Sequence, residues 1–321
     1  MVCRICAHAE APKIFAARDM MFGSGKRFQY FQCLQCGCLQ IVDIPADLSK
    51  YYPDDYYSYS VSPWKQADRS MRGFLRRWRD RYAVSGKGVM GRFFFQKFPN
   101  EALQSLAGVP NLTLATKILD VGCGSGSLLN MLSALGFKNL AGSDPYLQHD
   151  IDSDGRVKIW RKNLDEICGE WELIMFHHVF EHLADPIAVL QAVAPRLAKT
   201  GLCLIRLPIV PCYAWGHYGV DWIQFDAPRH LFMHSIPSLK IAAGHAGLQV
   251  EKIIYDSTAY QFWGSEQNRR NIPVFSERSY KINPARSIFS AREIAEFKKR
   301  AQQLNAEGRG DSAAFYLSKQ S

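Results

Sequence analysis

The sequence predicts an α/β protein in which one large domain with a mostly parallel sheet follows a cysteine-rich module and a helical linker. From Lys117 onwards, short apolar runs alternate with segments of helical periodicity, the pattern of strands joined by crossover helices. Two Cys-x-x-Cys pairs lie within the first forty residues. We therefore divide the chain into a metal-binding module (1–60), a helical linker (61–115) and a main domain (116–321) with a helical insertion at about 262–310.

Composition places limits on the function. The chain has 321 residues and a formal net charge of +9, and no apolar run approaches the length of a membrane span. The N-terminus lacks the pattern of a secretory signal, which predicts a cytoplasmic protein with reduced cysteines. The positive charge suits an anionic partner, which could be a nucleotide-linked substrate, an acidic membrane surface or a nucleic acid.

The two cysteine pairs, Cys3 with Cys6 and Cys33 with Cys36, have the spacing of zinc ligands. Each pair turns tightly so that two thiolates face one ion, and two pairs complete a tetrahedron. Four protein ligands leave no open position, so we expect a structural rather than a catalytic zinc ion. Cys38 is a spare candidate, and four reduced thiols without metal are the alternative.

Residues from Ser70 to about Ala107 are expected to be helical, basic and amphipathic. Aromatic and apolar residues alternate there with five arginines: Arg72, Arg76, Arg77, Arg79 and Arg81. The favoured interpretation is a bridge that packs its aromatic residues on the core and leaves its arginines in solvent. Peripheral contact with an anionic membrane is the alternative.

A glycine-rich turn follows the first predicted strand of the main domain, Ile118-Leu-Asp-Val121. Gly122, Gly124 and Gly126 connect that strand to a helix that starts at Ser127. Glycine lets a ligand approach the backbone closely, and the free N–H groups of a helix N-terminus attract polar ligand groups. Asp144 ends the second strand, where an acidic side chain receives ribose hydroxyls in nucleotide-binding sheets. Together these features predict a nucleotide-type cofactor site.

These residues resemble a known family. Asp120-Val-Gly-Cys-Gly-Ser-Gly126 resembles the first motif of class I methyltransferases, and Phe176-His-His-Val-Phe-Glu-His-Leu183 resembles their segment after the fourth strand. The resemblance covers Lys117 to Ser257, with Asp311 to Lys319 as the closing strand. It implies a Rossmann-like sheet of seven strands, the last one antiparallel, that binds S-adenosyl-L-methionine. The implied cofactor residues are Asp120, Gly122, Cys123, Gly124, Gly126, Asp144, Pro145, Asn163, Leu164 and His177, with Asp165 also by the adenine.

Methyl transfer to a hydroxyl or an acidic carbon usually needs a base, and histidine suits that task near neutral pH. The segment Phe225-Asp-Ala-Pro-Arg-His-Leu-Phe-Met-His-Ser235 resembles a stretch of sugar C-methyltransferases in which a Glu-His pair supplies the base. His230 matches that histidine, whereas Arg229 replaces the glutamate, which leaves O-methylation open. We therefore expect His230 to be the base, with His178 and Asp226 as further catalytic candidates; a structural role for His230, bonding a loop carbonyl, is the alternative.

The cysteine pairs followed by Tyr51-Tyr-Pro-Asp-Asp-Tyr-Tyr57 are similar to the N-terminal zinc-binding region of sugar methyltransferases. That resemblance implies a sugar or nucleotide-linked sugar as the acceptor. The aromatic segment from Pro211 to Asp226 is expected to form a wall of the acceptor pocket. Three alternatives are an RNA methyltransferase, a non-catalytic protein that binds a partner through its zinc module, and an enzyme with a membrane-lipid or quinone acceptor, which the basic Arg72–Arg81 helix would suit.

Overall fold

The computed structural model describes residues 1–9, 11–52, 70–153 and 155–320. The expected boundary at residue 60 and the tyrosine stretch from residue 53 onwards lie outside the described residues. The division into three parts therefore stays a prediction. We use "N-terminal module" below for residues 1–52 as the structure describes them.

The N-terminal module is a small antiparallel sheet that extends into the main domain. Its own strands are β1 (Ile14–Arg18), β2 (Arg27–Gln32) and β3 (Leu39–Ile41). A fourth strand, Phe232–Met233, comes from far along the chain and pairs antiparallel with β3. Because the two parts share one hydrogen-bonded sheet, the module is built into the main domain.

The segment after residue 70 is helical, as predicted. It forms α1 (Met71–Ser85), α2 (Val89–Lys97) and α3 (Glu101–Ser105). The Ser70 side chain accepts a hydrogen bond from the Gly73 N–H and caps α1. Helix α1 ends at Gly86, which has a positive φ, so α2 can turn back and pack against α1.

The main domain is built on an eight-stranded sheet. Its strands are β4 (Lys117–Val121), β5 (Asn139–Ser143), β6 (Ile151–Ser153), β7 (Val157–Trp160), β8 (Trp171–His177), β9 (Leu197–Pro208), β11 (Leu248–Tyr255) and β12 (Ser312–Lys319), whereas β10 is the strand Phe232–Met233 that pairs with β3. The order in the sheet is β11-β12-β9-β8-β4-β5-β7-β6. The strands from β9 through β8, β4 and β5 to β7 are parallel, and β12 is antiparallel to both of its neighbours. The predicted α/β class and the antiparallel closing strand are confirmed.

One strand of this sheet was not predicted. The three residues of β6 pair antiparallel with β7 at the sheet edge, so the sheet has eight strands instead of the seven implied by the resemblance. Only three residues form this strand, and they are half-buried or exposed. Such a segment has no apolar pattern that would distinguish it from a loop.

Helices cover both faces of the sheet and enclose two apolar cores. They are α4 (Ser127–Leu135), α5 (Pro186–Arg196), α6 (Tyr213–Tyr218), α7 (Ile236–His245), α8 (Tyr260–Arg269) and α9 (Ala291–Ala306). Helices α8 and α9 lie between β11 and β12, where the helical insertion is expected. Within the described residues, no helix has the length and apolar character needed to cross a membrane.

Candidate functional site

A cavity of about 1480 Å³ opens at the carboxyl ends of the central parallel strands. Val121 and Gly122 at the end of β4, Asp144 after β5, and His177 and His178 at the end of β8 line it. The chain order reverses beside β4, since β5 lies on one side of it and β8 on the other. Parallel sheets bind their ligands at this kind of switch point, so the cavity is the candidate active site.

The glycine turn forms one end of the cavity, here called the cofactor end. Gly122 has φ +70°, and a Cβ at this position would lie 2.5 Å from the Val179 side chain. The Gly122 N–H donates to the Ser143 carbonyl at 2.7 Å, which ties the turn to the neighbouring strand. Only glycine satisfies both the backbone conformation and the close approach.

Asp144 faces the same end and is almost fully buried. Its two carboxylate oxygens accept hydrogen bonds from the Gly124 N–H at 2.9 Å and the Tyr146 N–H at 3.0 Å. Burial raises the Asp144 pKa despite these two bonds. Asp120 lies nearby, where burial and then the Asp144 carboxylate raise the Asp120 pKa to about 8.

The other predicted cofactor residues separate into two groups. Pro145, Asn163 and Leu164 line the cavity directly, together with Asp165 and the buried Ser143. The Ser143 hydroxyl has no protein partner among the described residues and is therefore available to a bound group. Cys123, Gly124 and Gly126 form the body of the turn behind Gly122. Gly124 has φ +53°, and Gly126 has φ +78° and packs against Ile159, while the Cys123 thiol lies beside Gly142.

Two histidines at the end of β8 have different surroundings. Both ring nitrogens of His177 are buried and have no hydrogen-bond partner in the part of the chain that the structure describes, and burial followed by the Arg206 charge lowers the His177 pKa to about 3. His177 is therefore neutral and suited to a cationic neighbour. His178 has φ +54°, and its ring bridges Glu181 at 3.2 Å and Arg206 on the other side.

His230 also lines the cavity, and the part of the cavity around it is here called the acceptor end. Its Nδ1–H donates to the Gln224 carbonyl at 2.7 Å, which leaves Nε2 with a lone pair. Nε2 lies 3.8 Å from Asp226 Oδ2 and 3.9 Å from Glu181 Oε1. The catalytic candidate Asp226 therefore approaches the His230 ring, but at a distance longer than a hydrogen bond.

Glu181 is a site residue that the sequence analysis did not single out. It is fully buried, and one carboxylate oxygen has no protein partner among the described residues. Burial alone would raise the Glu181 pKa, but the hydrogen bond from His178 and the nearby histidines lower it to about 2. Its position three residues after His178, within the quoted motif, was the available signal.

Arg229, which departs from the sugar C-methyltransferase pattern, connects the acceptor end to the N-terminal module. Its buried guanidinium forms ion pairs with Asp226 at 2.5 Å and with Asp19 of the module at 2.8 Å. Burial alone would raise the Asp226 pKa, but the Arg229 charge and the neighbouring histidines lower it. The Tyr30 hydroxyl donates to the His230 carbonyl at 2.9 Å, so the module also positions the base candidate directly.

The four predicted zinc ligands form one compact cluster. The Sγ atoms of Cys3 and Cys36 are 3.6 Å apart, as are those of Cys6 and Cys33, and all four lie within 4.8 Å of one another. Zinc–sulfur bonds of roughly 2.3 Å would hold tetrahedral sulfurs about 3.8 Å apart, so this cluster has the dimensions of a metal site. The Cys38 thiol points away, towards the Met233 carbonyl.

A second group could also hold a metal ion. Glu181, His182 and His230 each offer one ligand atom within 4.8 Å of the others. The Nδ1–H of His182 donates to the Arg229 carbonyl at 2.9 Å, in the same way as His230 uses its Nδ1–H. Burial and the nearby His230 lower the His182 pKa to about 4, so its ring is neutral.

The aromatic segment before Asp226 does not form the expected pocket wall. Trp222 and Phe225 are buried in the main core, and Tyr218 is nearly so. From this segment only Gln224 and Asp226 line the cavity. The aromatic residues face inwards because the loop packs between the N-terminal module and α8, which gives them apolar partners.

Comparisons with known proteins agree with this geometry. A family model described as a methyltransferase domain matches residues 67–253, more than half of the chain. The ubiquinone biosynthesis O-methyltransferase of Xanthomonas axonopodis pv. citri is 29% identical over 180 residues, which cover 51% of this chain and 73% of that protein. The corresponding protein of Pseudomonas aeruginosa is 28% identical over 156 residues, 43% of this chain and 66% of that protein.

A similar solved structure is the O-methyltransferase from a trans-AT PKS multienzyme of Brevibacillus brevis in complex with S-adenosyl-L-homocysteine. It is 15% identical, with a TM-score of 0.43, and the match covers 80% of this chain and 82% of that one. The family match includes the glycine turn, Asp144 and the histidines at the end of β8. The chain therefore belongs to the methyltransferase domain family and is an S-adenosylmethionine-dependent methyltransferase.

Proposed function

We propose that this enzyme methylates a hydroxyl oxygen of a small, hydroxyl-rich acceptor, a sugar or nucleotide-linked sugar, with His230 as the general base. The observation that carries the proposal is the His230 ring, which presents its Nε2 lone pair between two buried carboxylates at the acceptor end. The proton of the acceptor hydroxyl passes to this nitrogen as the oxygen–methyl bond forms.

The surroundings of His230 suit a base that becomes charged during the reaction. Glu181 and Asp226 both have lowered pKa values and are ionised near neutral pH. Each lies within 4 Å of Nε2 and stabilises the imidazolium that proton transfer creates. The Gln224 carbonyl holds the reactive tautomer in place. His178 shares Glu181 with this group and orients that carboxylate.

At the cofactor end, bound S-adenosylmethionine supplies an activated methyl group on a sulfonium. We assign the ribose to Asp144 and Ser143, and the adenine to the neighbourhood of Asn163 and Leu164, because all four residues line the same cavity as Gly122. Gly122 gives the methionine portion access to the backbone. The neutral His177 ring also lines the cavity and adds no charge that would repel the sulfonium.

The acceptor preference rests on the polar lining of the other end. Beside apolar side chains that include Met21, Leu48 and Leu183, the lining contains hydrogen-bonding and charged side chains: Arg206, Gln224, Asp226, Asp256, Thr258, Tyr260, Gln261 and Lys281. A hydroxyl-rich molecule satisfies such groups, whereas an apolar acceptor would leave them desolvated. The names of the curated relatives favour a second candidate, a ubiquinone-type phenol, and they support oxygen as the methylated atom.

We also propose that the four-cysteine cluster holds a structural zinc ion. The sulfur spacing supports this, and four thiolate ligands exclude an open catalytic position. The ion would stabilise a module of short strands that places Asp19, directly after β1, and Tyr30, on β2, against the acceptor end. Elemental analysis of protein purified without chelator should give one zinc per chain, and an absence of zinc would refute this assignment.

The test of the acceptor class is a matched panel. Purified protein is incubated with S-adenosylmethionine and either nucleotide-linked sugars or prenylated phenols, and S-adenosylhomocysteine is quantified. We expect product with the sugar panel, and mass spectrometry should locate the methyl group on oxygen. Turnover confined to the phenols would overturn the sugar assignment, and methylation on carbon would overturn the oxygen assignment.

A further inference from the structure

Helices α1 and α2 present an unusual number of large apolar side chains to solvent. Six of them are exposed within 28 residues: Met71 (80%), Phe74 (46%), Val89 (86%), Met90 (50%), Phe93 (49%) and Phe98 (64%). The sequence analysis expected the aromatic residues of α1 to pack on the core, and for Phe74 that expectation is wrong. Clusters of exposed apolar side chains mark interaction surfaces in soluble proteins.

The hairpin does not need these side chains for its own packing. Gly91 of α2 packs directly on the Trp78 backbone and the Tyr82 side chain of α1. On the inner side, Gly73, Asp80 and Ala83 of α1 are buried. The exposed apolar side chains are therefore additional to the contacts that hold the two helices together.

The same hairpin carries most of the excess charge of the chain. Residues 70–98 contain eight Lys or Arg residues and one acidic residue, a net charge of +7 out of +9 for the whole chain. The single acid, Asp80, is buried and paired with Arg79 at 2.6 Å. Arg72, Arg81 and Arg92 are exposed beside the apolar side chains.

We propose that the α1–α2 hairpin is a docking surface for an anionic lipid membrane. Helices that combine exposed apolar side chains with Lys and Arg lie in the membrane interface, where the apolar groups enter the acyl boundary and the cations meet anionic headgroups. The phosphates of a nucleic acid would pair with the positive charges, but they would leave the six apolar side chains in water. A second copy would cover the apolar side chains only by bringing two strongly positive surfaces together.

This surface is separate from the catalytic cavity. No residue from 70 to 98 lines the cavity, so the hairpin acts on where the enzyme resides and not on the methyl-transfer step. The inference is thus independent of the acceptor proposed above and can be tested without a methyl acceptor.

The experiment is flotation of the full-length protein with vesicles of phosphatidylcholine alone or of phosphatidylcholine mixed with phosphatidylglycerol. We expect about tenfold more protein to float with the anionic vesicles, and the difference to diminish as salt screens the charges. Equal flotation with both vesicle types, or none with either, would overturn the proposal.

Two pairs of variants separate the apolar and the charge contributions. Phe74→Ser with Phe93→Ser should abolish flotation, whereas Ile282→Ser, which changes an equally exposed apolar residue elsewhere, should not. Arg72→Glu with Arg92→Glu should weaken flotation about tenfold, whereas Lys298→Glu with Lys299→Glu on α9 has the same net charge and should leave it unchanged.

Calorimetric binding of S-adenosylmethionine serves as the folding control for every variant and should not change. Loss of both lipid and cofactor binding in Phe74→Ser with Phe93→Ser would signal misfolding, and the Arg72 and Arg92 pair then decides the outcome. Labelled single-stranded RNA is the competitor. Arginine-dependent RNA binding without vesicle binding would overturn the membrane assignment in favour of a nucleic acid.

Discussion

The two ends of the cavity are assembled in different ways. The cofactor end comes from one stretch of chain, from β4 to the end of β8, in which the contributing residues lie at or shortly after the carboxyl ends of strands. The acceptor end gathers residues from the N-terminal module, the loop before β10, the start of α8 and the start of β12. A shared fold can thus hold a constant cofactor while the distant segments determine the acceptor.

The largest expected effect is at the acceptor end. His230→Ala removes the proposed base, so turnover should fall roughly 10²- to 10⁴-fold while S-adenosylmethionine affinity stays unchanged. Initial rates of S-adenosylhomocysteine formation and calorimetry measure the two quantities. His245→Ala, an exposed histidine at the end of α7, is the control. Unchanged turnover in His230→Ala would refute the base assignment.

A substitution at the cofactor end should lower the affinity for S-adenosylmethionine, the quantity that His230→Ala leaves unchanged. Gly122→Ala combines an unfavourable φ of +70° with a contact of 2.5 Å to Val179, so we expect S-adenosylmethionine affinity to fall about tenfold to a hundredfold. Gly155→Ala has nearly the same φ, +69°, with open space around it, and is the matched control. Equal affinities in the two variants would show that the approach at Gly122 does not matter to the cofactor.

The link between the N-terminal module and the acceptor end gives a smaller effect. Asp19→Asn removes one of the two carboxylates that hold Arg229, so Asp226 and His230 should lose their alignment and turnover should fall about tenfold. Cofactor affinity should not change. Asp43→Asn, an exposed acid of the same module, controls for the change in net charge. A loss of cofactor affinity in Asp19→Asn would show that the two ends are not independent.

The last expected effect is on stability, not on turnover or cofactor affinity, and concerns Asp120. Its pKa is raised to about 8 in the folded chain, so the stability it contributes is fully present below its unfolded pKa of about 4 and is lost as pH rises through 8. Asp120→Asn stays neutral, and its Tm should decline less than that of the parent between about pH 5 and about pH 9. Parallel Tm curves would mean that Asp120 is ionised throughout, and Asp43→Asn is again the control.

The cofactor end was predictable because its signals are local. Gly122, Asp144 and His177 each follow an apolar run, and periodicity alone places those runs in a parallel sheet. The antiparallel closing strand and the helices of the insertion were predictable for the same reason. Only the three residues of β6, which have no pattern, were missed in the sheet.

The acceptor end was not predictable in the same way. The Arg229–Asp19 ion pair joins residues 210 positions apart, and no short-range sequence pattern predicts it. In the sequence, Glu181 resembles an ordinary acidic residue of a helical turn, because its burial depends on histidines that two different loops supply. Trp222 and Phe225 suggest a ligand wall in isolation, but the N-terminal module supplies the apolar partners that draw them inwards.

The shared sheet between β3 and β10 has a practical consequence for engineering. An enzyme shortened to the main domain would expose the backbone of β10 and release the loop that bears His230, although its cofactor end would be complete. Such a fragment should bind its methyl donor and transfer nothing. Chimaeras that exchange the first fifty residues between relatives would, conversely, alter which molecule is methylated and leave donor affinity as it was.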